Sequence, residues 1–580
     1  MVLHFWLTEQ VPPEWEIGIL KILPKKGDLS LPGNYRGIML LEVAYKIVGH
    51  LILMRLKPIK EGLPHEPQCG FRPGRGTTDA NFTLKQALRK RREHGLETWV
   101  VFIDLVKAFD RVPRWLLWEV MLRYGVPPKL VSLLRALHAT VHVRFDVEGV
   151  TRALLSIIGV KQGDLLGPEL FTFYMAAVME TWRARLPPPP PSPQSPPPPS
   201  PPPLTPPLRA ECASCVFLTL PDFTMSGRRV DTAGGEEFAV DDSEYADDTA
   251  LLYCSRCDTE VQTPLLLDHF ADWGMEVHAG VGGKASKSEI LFCSAPPRMY
   301  QDAATYDGTD LSDVQMPGGR SMHIVDKFKY LGDYVARDCT DVCAVDARVA
   351  DAGRAFGALR RCLFASHSVS FAAKKAVYEA LILSILLYGC ECWCMTEVLH
   401  QRLRVFHAQC LRAMCRVTRK HTWEHHITSV ELMQRLGLDG IDFYVARRQL
   451  RWLGHVRRMP MERLPRRMLS AWVPHARPVG APRLTFGRSV AKAMDVFDLD
   501  SARWPELAAD RLAWQTMLRD GAPPPTFRKP PPPAVPMPIS HFLVRPRRRA
   551  AEKTNAAIDA SVRELAGVSR LGIVKKKRNK

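Results

Sequence analysis

No stretch of the 580-residue sequence is apolar enough to span a bilayer. The longest apolar run, Ala380 to Gly389, falls far short of the ~20 residues a spanning helix needs. No secretory leader is visible, since Met1-Val2-Leu3-His4-Phe5-Trp6 runs straight into a domain pattern. Without a leader, 14 cysteines read as reduced thiols of the cytosol or nucleus, not as a disulfide framework. Acidic charge is in deficit: 61 Asp+Glu stand against 79 Lys+Arg, a net charge of +18. That balance favours a polyanionic partner, because each phosphate met by Lys or Arg releases counterions. The length allows several domains, or one large enzyme with appendages.

Two acidic motifs carry the chemistry. Tyr245-Ala246-Asp247-Asp248 lies between two apolar, β-prone stretches, Phe238-Ala239-Val240 and Thr249 to Tyr253. This reads as strand, tight turn, strand. Adjacent carboxylates repel, and a divalent cation with a preference for hard oxygen ligands gives a turn reason to hold both. Upstream, Val101-Phe102-Ile103-Asp104 is an apolar strand ending in an acid. Asp104 beside the hairpin would let it share two metal ions with Asp247, about 3.5–4 Å apart, the arrangement that serves in-line phosphoryl transfer. Either motif alone is equally a solvated acidic turn; the pair, in order along the chain, argues for the site.

With these residues the chain resembles the reverse transcriptase of non-LTR (LINE-type) retrotransposons. The family's "DLxKAFD" box matches Asp104-Leu105-Val106-Lys107-Ala108-Phe109-Asp110, and its YADD box matches residues 245–248. The resemblance implies that Asp104 and Asp247 carry two Mg2+ ions, with Asp248 as the second acid of the box. It implies that Phe109 crowds the 2′-position of the incoming sugar and favours deoxynucleotides. Asn34-Tyr35-Arg36-Gly37-Ile38 resembles "NYRPI", with Gly37 in place of the proline. Gly70-Phe71-Arg72-Pro73-Gly74-Arg75-Gly76-Thr77 is the family's second finger motif, a loop from which two arginines are expected to point. Arg36 and Arg72 are the candidates for holding template and triphosphate, because a guanidinium fork suits phosphate oxygens. Gln162 and Gly163 match the box that packs against the nascent base pair. Ser286-Lys287-Ser288-Glu289 resembles "SKTE", and Lys287 is the candidate general acid for the leaving pyrophosphate.

Further matches follow in order: Lys329 to Gly332 ("KYLG"), Leu386 to Trp393 ("LLYGxExW"), Arg447 to Arg458 ("RxLRWLGHVxRM") and Trp504 to Trp514 ("LAxDRxxW"). The resemblance covers roughly residues 10 to 520. Its implied fold is α+β, a right-hand polymerase with fingers, an antiparallel-sheet palm and a helical thumb. The expected division is fingers over 10–95, first palm part with finger elements over 96–186, and a proline-rich insertion over 187–209. The second palm part with the hairpin follows over 210–338, then thumb and connection over 339–470. A C-terminal helical region covers 471–520, and a disordered Pro-rich, basic tail covers 521–580. The almost pure proline run at 187–207 reads as an extended surface tether, with a proline-binding module as the sharper alternative. Basic runs Arg545 to Arg549 and Lys575 to Lys580 read as nuclear localisation or nucleic-acid tails. The expected compartment is the nucleus, with the cytoplasm beside it.

The expected activity is RNA-directed DNA polymerisation with an RNA template, a DNA primer and dNTPs as partners, and no membrane. Full-length relatives usually add an endonuclease, of which no signature is seen, so a fragment keeping the polymerase is expected. Two rivals stand. An RNA-templated RNA polymerase shares the palm, but Phe109 argues against it. The other is a catalytically inactive nucleic-acid-binding remnant of the same fold. Cys410, Cys415, His421 and His425 offer a loose zinc spacing, against which buried structural residues are the expectation.

Overall fold

The computed structural model describes residues 1–25, 28–31, 34–63, 66–147, 150–185, 215–219, 236–281, 286–295, 311–475 and 485–521. Its strands in chain order are β1 (Ile17–Pro24), β2 (Tyr35–Leu40), β3 (Thr98–Ile103), β4 (His142–Val147) and β5 (Val150–Leu155). Then come β6 (Val216–Thr219), β7 (Glu236–Ala239), β8 (Asp242–Tyr245), β9 (Asp248–Tyr253) and β10 (Gly280–Val281). The last are β11 (Glu289–Cys293), β12 (Val314–Met316), β13 (Arg320–Val325), β14 (Lys327–Tyr330) and β15 (Asp333–Ala336).

The central sheet runs β10-β13-β11-β3-β9-β8, with β12 also paired to β13. It is antiparallel except between β11 and β13, which run parallel. Strand β3 is an unbroken apolar run because both of its faces are covered. Trp99, Val101 and Ile103 pack into one core with Phe171 and Tyr174 of the helix Gly167–Arg185 and Phe270 of the helix Arg256–Asp272. Val100 and Phe102 pack into a second core with Phe82 and Leu84 of the helix Thr77–Glu93 and Leu450 of the helix Ile441–Arg457. A third core joins the helices Val342–Leu359 and Glu397–Cys415 through Phe356, Leu403 and Phe406. A separate sheet, β2-β1-β4-β5, draws two strands from the stretch expected as fingers and two from the stretch expected as first palm part with finger elements. The right-hand arrangement of fingers, sheet palm and helical thumb is therefore present. No described helix is long and apolar enough to cross a membrane.

The hairpin differs from its sequence reading. Its first strand is β8, not the stretch 238–240, which follows the pairing of β7 with β6. Asp242-Ser243-Glu244 is too polar to read as a strand. It forms one because Asp242 and Glu244 are buried against Arg183 of the helix behind. The expected helix 504–514 is two short ones, Trp504–Ala509 and Arg511–Asp520, with the Asp510 carboxylate capping the second at 2.8 Å from Leu512 N. The proline insertion and both basic runs lie outside the described residues.

Candidate active site

Pairing brings the two acidic motifs together. Ile103 faces Thr249 across β3 and β9, so Asp104, one residue on, comes level with Asp248. Tyr245 faces Asp248, which leaves Ala246 and Asp247 as a two-residue turn. Ala246 takes φ +60°, the left-handed conformation that a primed hairpin turn requires at its first position. Asp104 is held by its backbone on both sides: its N–H donates to Ser288 Oγ at 3.0 Å, and its carbonyl accepts from His278 N at 2.8 Å.

The charge of Asp104 acts on both acids of the turn, and that of Asp247 acts on Asp248. Removal from water pushes the Asp247 carboxyl up; the charge of Asp104 adds to this and that of Arg36 offsets it. Asp248 rises to about 6, first through desolvation, then through Asp247 and Asp104. A cation among them would relieve that repulsion, and carboxylate oxygens are the donors a hard divalent ion takes. Among the described residues no three such groups converge into a ready-made metal cage.

Phe109, five residues after Asp104, is half-buried. Its ring stacks on Phe171 (centroids 4.3 Å apart, 20° between planes) and meets the edge of Phe71 at 6.3 Å. Val160 N donates to the Phe109 carbonyl at 2.8 Å, so the Gln162-Gly163 box is tied to the aspartate box. Gln162 in turn accepts from Met39 N of β2 at 2.8 Å. One frame thus joins fingers, both boxes and the acidic turn.

Residues 23–333, just over half of the chain, match the family model described as reverse transcriptase (RNA-dependent DNA polymerase). The chain belongs to this family. The 149 kDa protein of transposon TX1 from Xenopus laevis is 32% identical over 189 residues, covering 32% of this chain and 14% of the relative. The Pol polyprotein of the type-1 retrotransposable element R2 from Popillia japonica is 29% identical over 167 residues, covering 28% and 23%. A "Probable RNA-directed DNA polymerase from transposon BS" of Drosophila melanogaster is 26% identical over 464 residues, covering 77% and 43%. The chain therefore spans less than half the length of each of these relatives. They bear out the resemblance to non-LTR elements.

Within the reverse transcriptase domain the remaining candidates divide. Arg36 is exposed on β2 and near enough for its charge to act on Asp247. The two loop arginines do not point outward as expected. Arg72 is buried, and burial lowers its pKa; Arg75 is ion-paired with Glu66 and donates to the Glu66 carbonyl at 2.9 Å. Arg463, nearly four hundred positions later in the chain, also pairs with Glu66 (3.0 Å) and with Asp79 (2.6 Å), and so ties the loop inward. Lys287 is exposed between β10 and β11, its backbone N–H 3.3 Å from His278 Nδ1. Cys410 is buried in its helix, and it is not gathered with Cys415, His421 and His425 into a metal-binding group.

Sequence reasoning missed Gln68, Glu244 and Ser288. Each is a polar residue whose partner is remote in sequence. Ser288 lies inside a motif already singled out, and Gln68 stands two residues before one.

Proposed function

We propose that this chain copies RNA into DNA, transferring a deoxynucleotide from a dNTP to a primer 3′-hydroxyl. The observation that carries the reading is the meeting of Asp104, Asp247 and Asp248 at one end of β3 and β9, where the carboxyls of Asp247 and Asp248 are pushed up by removal from water and by their acidic neighbours. Asp104 and Asp247 would hold two Mg2+ ions, with Asp248 beside them. Such ions supply activation of the hydroxyl and neutralisation of charge on the phosphates. Phe109, backed by Phe171, closes the space beside the sugar and rejects a 2′-hydroxyl. Gln162 and Gly163 support the template pair. Arg36 meets the triphosphate, with buried Arg72 shaping the loop behind it, and Lys287 donates a proton to pyrophosphate. The surplus of basic residues supports a nucleic-acid partner, and the terminal basic runs support a nuclear location.

Primer extension tests this. Purified protein receives a DNA primer on an RNA template, Mg2+ and dNTPs, beside Asp247→Ala and Asp248→Ala variants. Extension by the parent alone is expected. Tight duplex binding with no extension by any form would overturn the reading and leave a binding remnant. Efficient use of rNTPs would point to an RNA polymerase.

A further inference from the structure

The turn that carries Asp247 and Asp248 is gripped from outside its own sheet. Gln68 lies in the finger loop and its side chain is buried. Its Oε1 accepts from two backbone N–H groups, Ala246 and Gly70, each at 2.8 Å. Its Nε2 donates at 3.3 Å to the Ala246 carbonyl and at 3.3 Å to Glu244 Oε2. One amide therefore holds both polar groups of the Ala246 residue. Glu244 is fully buried and paired with Arg183 at 3.2 Å, which fixes the far side of the clamp. Gly70 is part of the fit, since a Cβ there would overlap the Ala246 nitrogen.

Ala246 needs such a grip. Its φ of +60° is disfavoured for a residue with a Cβ, and strain of this kind costs about 1–3 kcal/mol and persists only where surroundings over-determine it. The finger loop does not need Gln68 in order to dock. Its backbone already bonds β8 through Cys69 N to the Glu244 carbonyl (2.8 Å) and Glu244 N to the Pro67 carbonyl (3.2 Å). The side-chain bonds are the ones that reach the turn.

We propose that Gln68 is a positioning residue for the catalytic turn: it locks the Ala246 peptide in the left-handed conformation and so sets where Asp247 and Asp248 stand. The proposal rests on the reading of Asp104 and Asp247 as metal-binding carboxylates. It predicts that losing the amide harms metal binding and the chemical step, not the grip on nucleic acid.

The test compares the full chain with Gln68→Met, which keeps length and loses all four bonds. Gln68→Glu, which keeps the acceptor and loses the donor, is the second variant. Three quantities are read on folded protein: Mn2+ affinity of the primer–template complex by electron paramagnetic resonance, kcat and KM for dNTP, and primer–template affinity. For Gln68→Met, Mn2+ affinity and kcat each fall about 10–100-fold, the usual cost of removing a group that orients a metal ligand. The dNTP KM and primer–template affinity stay within about twofold, as expected when uniform binding is untouched. Gln68→Glu falls at least as far, because its carboxylate faces that of Glu244 and the Ala246 carbonyl, and it decides by the same criteria if Gln68→Met does not fold. Parent-like Mn2+ affinity and kcat in a folded variant would overturn the proposal. So would lost primer–template affinity with Mn2+ binding intact. If the parent itself neither binds Mn2+ nor extends a primer, the reading of the acids falls and the proposal falls with it.

Discussion

Gly163 stands directly against Met39: with φ at +104°, a Cβ on Gly163 would lie 2.6 Å from the Met39 carbonyl oxygen. Both the conformation and the close approach demand glycine there. Gly163→Ala is expected to cost at least the about 1–3 kcal/mol of a strained backbone site, and to lower primer extension because β2 is pushed from the box. Gly125→Ala is the control. Its φ is +79° but nothing lies within 4 Å of the new Cβ, so it should lose stability alone. Melting curves and extension rates measure both; a parent-like Gly163→Ala would refute the packing argument.

Phe109 gains its rigidity from Phe171 beneath it. Phe109→Ala opens the space that the ring fills, so the preference for dNTP over rNTP, as a ratio of kcat/KM values, should drop about 10–200-fold, the range for a steric pocket contact. Phe171→Ala should lower the ratio less, through a looser ring. Unchanged discrimination in Phe109→Ala would remove it from sugar selection.

Asp341 is fully buried and serves three donors: Lys85 at 3.0 Å, Arg89 at 2.5 Å and Cys394 N at 2.7 Å. Burial alone would push Lys85 down, yet Asp333 and Asp341 raise it above its usual value. Asp341→Ala leaves two buried cations short of a partner and should cost about 3–5 kcal/mol. Asp520→Ala breaks an exposed pair with Arg519, which water screens, and should leave the urea midpoint close to that of the parent. Urea midpoints compare the two.

His138 is buried edge-on to Trp118, with Nδ1 2.9 Å from the Leu134 carbonyl. Burial, with help from the Lys161 charge, lowers its pKa to about 3. Unfolded, it takes up a proton near the ordinary value of about 6.5. Between those values the unfolded chain binds more protons, so stability falls as pH drops from about 6.5 toward 3. At pH 5 this one group should cost about 2 kcal/mol relative to pH 7. His138→Phe keeps a ring against Trp118 and should flatten that part of the acid slope. An unchanged slope in urea titrations at the two pH values would exclude His138 as its source.

The three candidate acids were legible because their signals are local. An apolar run ending in Asp104 and a turn holding Asp247 and Asp248 each declare a strand end within a few residues. Phe109, Gln162 and Gly163 were legible by resemblance, and the structure ties their two boxes together. The first hairpin strand was not legible: Asp242 and Glu244 look solvated until Arg183, some sixty positions earlier, covers them. The inward turn of Arg72 and Arg75 was hidden for a similar reason, since Arg463 stands nearly four hundred positions later in the chain.

The sequence by itself determined the family, the order of the polymerase motifs and the three acids, because strand periodicity and turn chemistry act over neighbouring residues. Only the tertiary structure decided which polar groups are buried and by what they are held. Gln68 on Ala246, Ser288 on Asp104 and Lys85 on Asp341 are hydrogen bonds between residues about 180 to 260 positions apart. Such pairs leave no local pattern, because a polar side chain reads the same in the sequence whether water or a distant backbone satisfies it.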